Sequence, residues 1–230
     1  MILNPVVEYV SISKWVAGLI NKRITPHNFV RQLGKHLNKH HSIKVDFYRG
    51  DNSILSPGDF TFGAEYDPNL DEERRKQFKL TLIINQAKKS PWLITGKIAD
   101  DLTLELVESL VHEYRHQHQY RSRRFMMNRG YVNKHSNNTT NDQEYLGMPD
   151  EIDAYAANIA ARFYILKYKL NTIEPMVSLD LDHYRRTFGN NHLVMRKLLK
   201  KIAQNISYLK AHDNGKIRKR SKCRVRRRPR

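Results

Sequence analysis

The chain has 230 residues, 40% of them hydrophobic, and carries a formal net charge of +18 at pH 7. This length and composition predict a folded protein with one well-filled core and argue against intrinsic disorder. Because no apolar run approaches the ~20 residues that cross a bilayer, and residues 1–5 do not resemble a secretory signal, we expect a cytoplasmic protein with no membrane partner.

Two helices are predicted within residues 1–42. Apolar residues recur at helical spacing over residues 10–20 and again over residues 27–38. Between them, Thr25-Pro26 fits an N-cap followed by proline at the first helical position. These 42 residues are therefore expected to form an N-terminal helical segment.

Three strands are predicted next. Two are indicated by alternating apolar residues, at Ile43, Val45 and Phe47 and at Phe60 and Phe62. The sequence Ser56-Pro57-Gly58-Asp59 between them is typical of a turn. Residues 78–85 are the most hydrophobic of the chain and predict a more buried strand. A strand of this kind, placed before the next helix, could form the sheet edge that faces a substrate.

A helix is expected over about residues 102–121, preceded by Asp100 and Asp101. Carboxylates suit a helix N-terminus because they accept hydrogen bonds from its free amides and complement its dipole. Residues 122–147 are polar and predict a long loop, of a kind that is often functional.

Two more helices are predicted before the C-terminal end. Pro149-Asp150-Glu151 opens an alanine-rich helix that extends to about residue 170, and a last helix covers about residues 191–209. The order of elements indicates an α+β fold.

The basic residues are concentrated at the C-terminal end. From Lys216 to Arg230 the chain has ten Lys or Arg and no acid, so that removing this segment lowers the net charge from +18 to +8. A block of like charges repels itself and predicts a disordered arm. Its expected partner is nucleic acid, through the phosphates.

The motif His112-Glu113-Tyr114-Arg115-His116 lies within the helix predicted over residues 102–121. Two histidines four residues apart project from one face of a helix, so that both imidazoles can bind one metal ion. Glu113, about 100° around the helix from His112, can then reach a water bound to that metal. This HExxH arrangement is typical of zinc metallopeptidases.

A zinc site of this kind needs a third protein ligand. The single cysteine, Cys223, excludes a multi-cysteine site, so the ligand must be His, Asp or Glu. The residues favour Glu151, in the first turn of the second helix, and leave Asp153 and His135 as alternatives.

Two segments resemble a known family. Residues 110–119, LVHEYRHQHQ, look like the HExxHxxQ motif of small zincin-like metallopeptidases, which are common in phage and bacterial genomes. Residues 145–156, YLGMPDEIDAYA, resemble the segment that supplies the glutamate ligand in the gluzincin type of site. The resemblance implies that His112, His116 and Glu151 bind Zn²⁺ and that Glu113 is the catalytic base.

The resemblance also implies a domain organisation. A zincin-like core over residues 43–170 would contain a short three-stranded sheet packed with the HExxH helix and further helices. It would be preceded by the N-terminal helices (1–42) and followed by a helical extension (171–215) and the basic tail (216–230). For a phage-encoded protein, the expected location is the host cytoplasm or the virion.

Two functions are compatible with these features. The first is a zinc-dependent metallopeptidase that hydrolyses peptide bonds with a metal-activated water and binds nucleic acid through its tail. The second is a non-catalytic DNA-binding or virion structural protein with a zincin fold, which the large positive charge and Arg115 within the motif favour.

Overall fold

The computed structural model describes residues 3–50, 55–124, 138–167 and 178–225, without the side chains of residues 138–141 and 213–225. Within these ranges the fold is α+β, as predicted, with eight helices and two small sheets of two and three strands. The chain forms two compact units, residues 1–135 and residues 136–230. No helix in the described ranges combines the length and apolarity needed to cross a bilayer.

The first unit contains four helices and all five strands of the described chain. They are α1 (Pro5–Ala17), β1 (Arg23–Ile24), α2 (Pro26–Leu37), β2 (Ile43–Arg49), β3 (Phe60–Tyr66), α3 (Pro68–Glu72), β4 (Phe78–Ile84), β5 (Trp92–Leu93) and α4 (Gly96–Ser122). The three main strands and α2 lie where the sequence predicts them, whereas α1 begins five residues before the predicted start. Asn4 caps α1 by accepting hydrogen bonds from the amides of Val6 and Val7.

The main sheet has the strand order β2-β4-β3, with β4 parallel to β2 and antiparallel to β3. The hydrophobic strand β4 is therefore central, and in the described ranges the sheet edges are β2 and β3. The expectation that a strand such as β4 forms the substrate-facing edge was wrong. A strand that is buried on one face and paired on both sides is the most apolar because it has no solvent-exposed edge.

The two faces of this sheet differ in polarity. Side chains of β4 alternate, and Phe78, Leu80, Leu82 and Ile84 are all buried on one face. On the other face the register places Lys44 beside Lys79, Asp46 beside Thr81 and Tyr48 beside Ile83. The first face forms the core with the helices, and the second is polar.

Helix α4 begins at Gly96, six residues earlier than predicted. Thr95 is the N-cap, and its hydroxyl accepts a hydrogen bond from the amide of Ile98 at 3.3 Å. Asp100 and Asp101 consequently lie inside the helix rather than at its start. The buried stripe of α4, which includes Leu106 and Leu110, packs against α1 and β3.

The second unit is helical in its described part. It contains α5 (Asn138–Leu146), α6 (Pro149–Ile165), α7 (Leu179–Phe188) and α8 (Leu193–Val225). Helices α6 and α8 pack against each other, and small side chains such as Ala156 and Ala160 are completely buried between larger ones. The alanine-rich pattern that predicts α6 is explained by this close packing.

Helix α5 occupies part of the segment that was predicted to be a loop. Its own sequence has low helical propensity, but Leu146 is buried in the core of the second unit. The hydroxyl of the buried Tyr184 donates a hydrogen bond to the carbonyl of Leu146 at 2.9 Å. Tertiary packing therefore stabilises a helix that local propensity does not favour.

Helix α8 continues to Val225, sixteen residues beyond its predicted end. The helix thus includes residues 216–225 of the segment expected to be a disordered arm, and residues 226–230 lie outside the described part, so the disorder of the arm stays a prediction. Lysine and arginine are good helix formers, and cations are favourable near a helix C-terminus. These two effects explain why the basic segment continues a helix in spite of charge repulsion.

Candidate metal centre

His112 and His116 face each other from successive turns of α4. Their Nε2 atoms are 3.1 Å apart, with His112 buried and His116 half-buried. In a tetrahedral zinc site with zinc–nitrogen distances of about 2.0–2.1 Å, two nitrogen ligands lie about 3.3 Å apart. The two imidazoles thus already have nearly the separation that a shared zinc ion requires.

Gln119 fixes the orientation of His116. Its side-chain oxygen lies 2.9 Å from His116 Nδ1, and the residue is buried. An amide oxygen only accepts, so Nδ1 carries the proton and Nε2 keeps its lone pair for a metal. Outer partners of this kind commonly hold metal-binding histidines in one tautomer. Gln119 is part of the sequence motif, but the motif alone does not indicate its role. The contact with His116 indicates that Gln119 orients this histidine.

Glu151 could provide a third ligand atom. It is buried in the first turn of α6, and one of its carboxylate oxygens and the ring nitrogens of His112 and His116 all lie within 4.8 Å of one another. The donor set of two imidazoles and one carboxylate suits zinc and leaves a fourth position for water.

The other two candidates for the third ligand have different positions. Asp153 accepts a hydrogen bond from Lys201 Nζ at 2.5 Å, and the two charges form an ion pair between α6 and α8. His135 lies outside the described residues. Of the three alternatives left open by the residues alone, the structure brings Glu151 to the histidines.

Glu113, the expected catalytic base, is buried on α4. It directly follows His112, and the geometry of a helix places its side chain beside the histidine pair rather than on the opposite face. A buried carboxylate next to two imidazoles is suited to accept a proton from a water held at the same position. Its catalytic role stays a prediction.

The C-terminal turn of α4 is tied to the β3–β4 connection by Asp71. The carboxylate of Asp71 accepts hydrogen bonds from Arg121 Nε at 2.7 Å, Arg121 Nη2 at 2.6 Å and the Tyr66 hydroxyl at 2.8 Å. Burial by itself raises the pKa of Asp71, but the hydrogen bonds from Arg121 and Tyr66 outweigh it and hold the pKa below its ordinary value. This network supports the turn that follows His116.

A second network supports the middle of the motif. His41 is buried, with Nε2 at 3.0 Å from Glu8 Oε2 and Nδ1 at 2.7 Å from the Tyr114 hydroxyl. If Nε2–H donates to the carboxylate, Nδ1 accepts the hydroxyl proton. Burial, followed by the charge of Glu8, raises the pKa of Tyr114 to about 12. The hydrogen bonds from Glu8 through His41 to Tyr114 thus join α1 to α4, the helix that carries the HExxH motif. Neither His41 nor Glu8 was predicted to contribute, because their partners are distant in sequence.

Comparisons with protein-family models, with curated proteins and with solved structures found no match for this chain. The resemblance to zincin-like metallopeptidases therefore rests on the two motifs and on the geometry of their side chains.

Proposed function

We propose that this protein is a zinc-dependent metallopeptidase of the zincin-like type. The observation that carries the proposal is the convergence of His112, His116 and Glu151, with ligand atoms within 4.8 Å of one another. The separation of 3.1 Å between the two Nε2 atoms and the support of His116 by Gln119 strengthen it. Zinc fits this site because the donors are imidazole and carboxylate and because His116 is held with Nε2 free of its proton.

Bound zinc would lower the pKa of a coordinated water from ~15.7 towards ~7 and polarise the substrate carbonyl. Glu113 would serve as the base that takes a proton from a water at the site, and its protonated carboxyl would return that proton to the departing amine. The buried position of Glu113 restricts competing hydration of its carboxylate.

Strand β3 offers a surface for an extended peptide. It packs beside α4, pairs with β4 on one side and has no strand partner on the other side among the described residues. A peptide can add to such an edge through main-chain hydrogen bonds, which depend little on sequence. We therefore expect substrate recognition to begin with backbone pairing along β3.

The basic segment of residues 216–230, whose first ten residues belong to α8, is proposed to bind nucleic acid. Ten Lys or Arg between residues 216 and 230 provide a charge density that suits a phosphate backbone. This segment would place the peptidase on nucleic acid, where its substrates would be proteins bound to the same polymer.

The metal site is tested by measuring zinc per chain by mass spectrometry after purification in zinc-containing buffer. His112→Ala, His116→Ala and Glu151→Ala should each lose zinc. Two matched controls are available: His118→Ala, on the same helix but exposed, and Asp153→Asn, on the same turn as Glu151 but paired with Lys201. Both should retain zinc at the wild-type level. Equal zinc content in all five variants would refute the proposed ligand set.

Catalysis is tested separately with Glu113→Gln, which should keep zinc and lose cleavage of fluorescein-labelled casein and of a random peptide library. A second candidate function, a non-catalytic nucleic-acid-binding protein with the same metal site, is favoured by the net charge of +18. Zinc binding without cleavage of any peptide by the wild type would support this second function over the first.

A further inference from the structure

A basic cleft lies in the first unit. None of the proposed metal ligands is among its lining residues. It has a volume of about 570 Å³ and is lined by residues of α2, β2 and β4 and by Lys88, in the segment after β4. Four of its lining residues carry or can carry positive charge: His27, Arg31, Lys79 and Lys88. All four are exposed at the surface, so their charged groups are accessible to a ligand.

The acidic side chains near this cleft do not neutralise it. Asp46, the one acid among the lining residues, pairs with Lys44 at 2.9 Å, and Lys79 approaches Glu65 only to 3.9 Å. In the part of the chain that the structure describes, neither Arg31 nor Lys88 has a carboxylate within 4.0 Å. Their charges are thus available to an external anion.

Lys88 is held near α2 by its main chain. The carbonyl of Lys88 accepts a hydrogen bond from the amide of His27 at 3.3 Å. In the same segment the side chain of Gln86 donates to the carbonyl of Ser90 at 3.2 Å. The spacing between the cations of α2 and Lys88 is therefore set by the fold rather than by a free loop.

The cleft also contains an exposed aromatic ring. Tyr48, on the polar face of β2, is 62% exposed and is among the most exposed large hydrophobic residues of the described chain. Its register partner on β4 is Ile83, and the pair Asp46 and Thr81 lies two positions along the same face. A large ring exposed on a sheet, beside cations, can stack with a base while the cations bind phosphates.

We propose that this cleft binds a short stretch of single-stranded nucleic acid, with phosphates at Arg31 and Lys88 and one base stacked on Tyr48. The concave shape and the ring favour an unpaired strand over a duplex, whose bases are already stacked. An acidic peptide would satisfy the cations but would not need the ring. This site is independent of the proposed zinc centre and of the basic end of α8.

The first test measures binding of fluorescein-labelled hepta-deoxythymidylate to the full chain by fluorescence anisotropy. The double variant Arg31→Ala with Lys88→Ala should bind about tenfold more weakly, and its logarithmic salt slope should fall by about 1.4, at about 0.7 for each phosphate contact. The matched control is Lys35→Ala with Lys89→Ala, which removes the same charge from α2 and from the segment after β4 but outside the cleft. Equal effects of both pairs would overturn the proposal.

The second test locates the base. A heptanucleotide carrying 5-iodouracil, irradiated with the protein, should crosslink to the peptide that contains Tyr48. Tyr48→Phe should retain binding, whereas Tyr48→Ala should weaken it at least about fivefold. Crosslinks found only within residues 216–230, or competition by poly-glutamate as strong as by unlabelled oligonucleotide, would overturn the proposal. His116→Ala should bind the oligonucleotide normally, so that failure of the metal site and failure of this cleft are distinguished.

Discussion

Asp71 and Arg121 are 50 residues apart in sequence, and the guanidinium of Arg121 makes two hydrogen bonds to the Asp71 carboxylate, at 2.7 and 2.6 Å. Asp71 is buried, whereas the Arg121 side chain is about half exposed. We predict that Asp71→Asn lowers the free energy of unfolding by about 1–2 kcal/mol, because it removes the negative charge from these hydrogen bonds. The loss is not larger because solvent at the exposed guanidinium of Arg121 partly screens the interaction. Urea denaturation at neutral pH measures this loss.

The pH dependence of that loss has a definite sign. The pKa of Asp71 lies below its ordinary value in the folded protein, so the ionised carboxylate stabilises the fold above about pH 4 and this contribution disappears as the pH falls further. The difference between wild type and Asp71→Asn should therefore shrink in acid. Glu73→Gln, which breaks the exposed pair with Arg75, is the control and should change stability by less than about 0.5 kcal/mol at any pH.

Gln119 gives a prediction about metal affinity. Gln119→Leu should weaken zinc binding about 10- to 100-fold, because His116 loses the acceptor that fixes its tautomer. Gln119→Glu should restore the affinity, since a carboxylate also accepts from Nδ1–H. Competition with a chromogenic chelator measures both. Gln117→Leu, another buried glutamine of α4 whose amide points to Asp71, should leave zinc affinity near the wild-type value. A similar loss for both glutamines would indicate a general effect on the helix.

Regular elements with strong local patterns could be predicted from the sequence. The alternation in β2 and β3, the hydrophobic run of β4 and the Thr25-Pro26 start of α2 are all local signals, and the structure confirms each element. The histidine pair also follows from local geometry, because two residues four apart on one helix lie on the same face whatever the tertiary fold.

Features that depend on distant residues could not be predicted in this way. The central position of β4 depends on which strands pair, and α5 depends on the burial of Leu146 rather than on its own propensity. The pairing of Asp71 with Arg121 joins two ordinary charged residues that carry no motif. For the third ligand the residues left three alternatives, since only the packing of α6 shows that Asp153 pairs with Lys201.

Zinc should stabilise the folded protein measurably. Because the two Nε2 atoms are already 3.1 Å apart, binding requires little rearrangement of the histidines. At a free zinc concentration 100 times the dissociation constant, the expected stabilisation is about 2.7 kcal/mol. Thermal unfolding with zinc and then with an excess of chelator should show a lower midpoint after chelation. His116→Ala should have the same unfolding midpoint in both conditions. A wild-type protein whose midpoint does not change on chelation would contradict the proposed zinc site.

His36 should make stability depend on pH near neutrality. Its ring stacks on Trp15 at 5.1 Å between centroids, and burial, with the nearby charges of Lys39 and His40, lowers its pKa despite an opposing effect of Glu8. A lowered pKa means that the neutral ring stabilises the fold above the ordinary value of 6.5 and that stability decreases as the pH falls below it. Titration of the ring protons by NMR should give a midpoint below 6.5. His36→Gln should reduce the loss of stability between pH 7 and 5. If stability depends on pH in the same way in this variant as in the wild type, His36 is not the group responsible.

The basic end of α8 combines a structural and a functional prediction. Deleting residues 216–230 should reduce the helical circular dichroism signal, because α8 extends to Val225, and should weaken duplex DNA binding. Replacing Lys219, Arg220, Lys222 and Arg224 by glutamine separates the two effects. Glutamine is also a good helix former, so this variant should keep the helical signal but lose up to about 3.6 from the salt slope, at about 0.9 for each phosphate contact. Unchanged duplex binding in both variants would show that this segment does not bind nucleic acid. The cleft at Tyr48 is tested separately, by the crosslinking experiment.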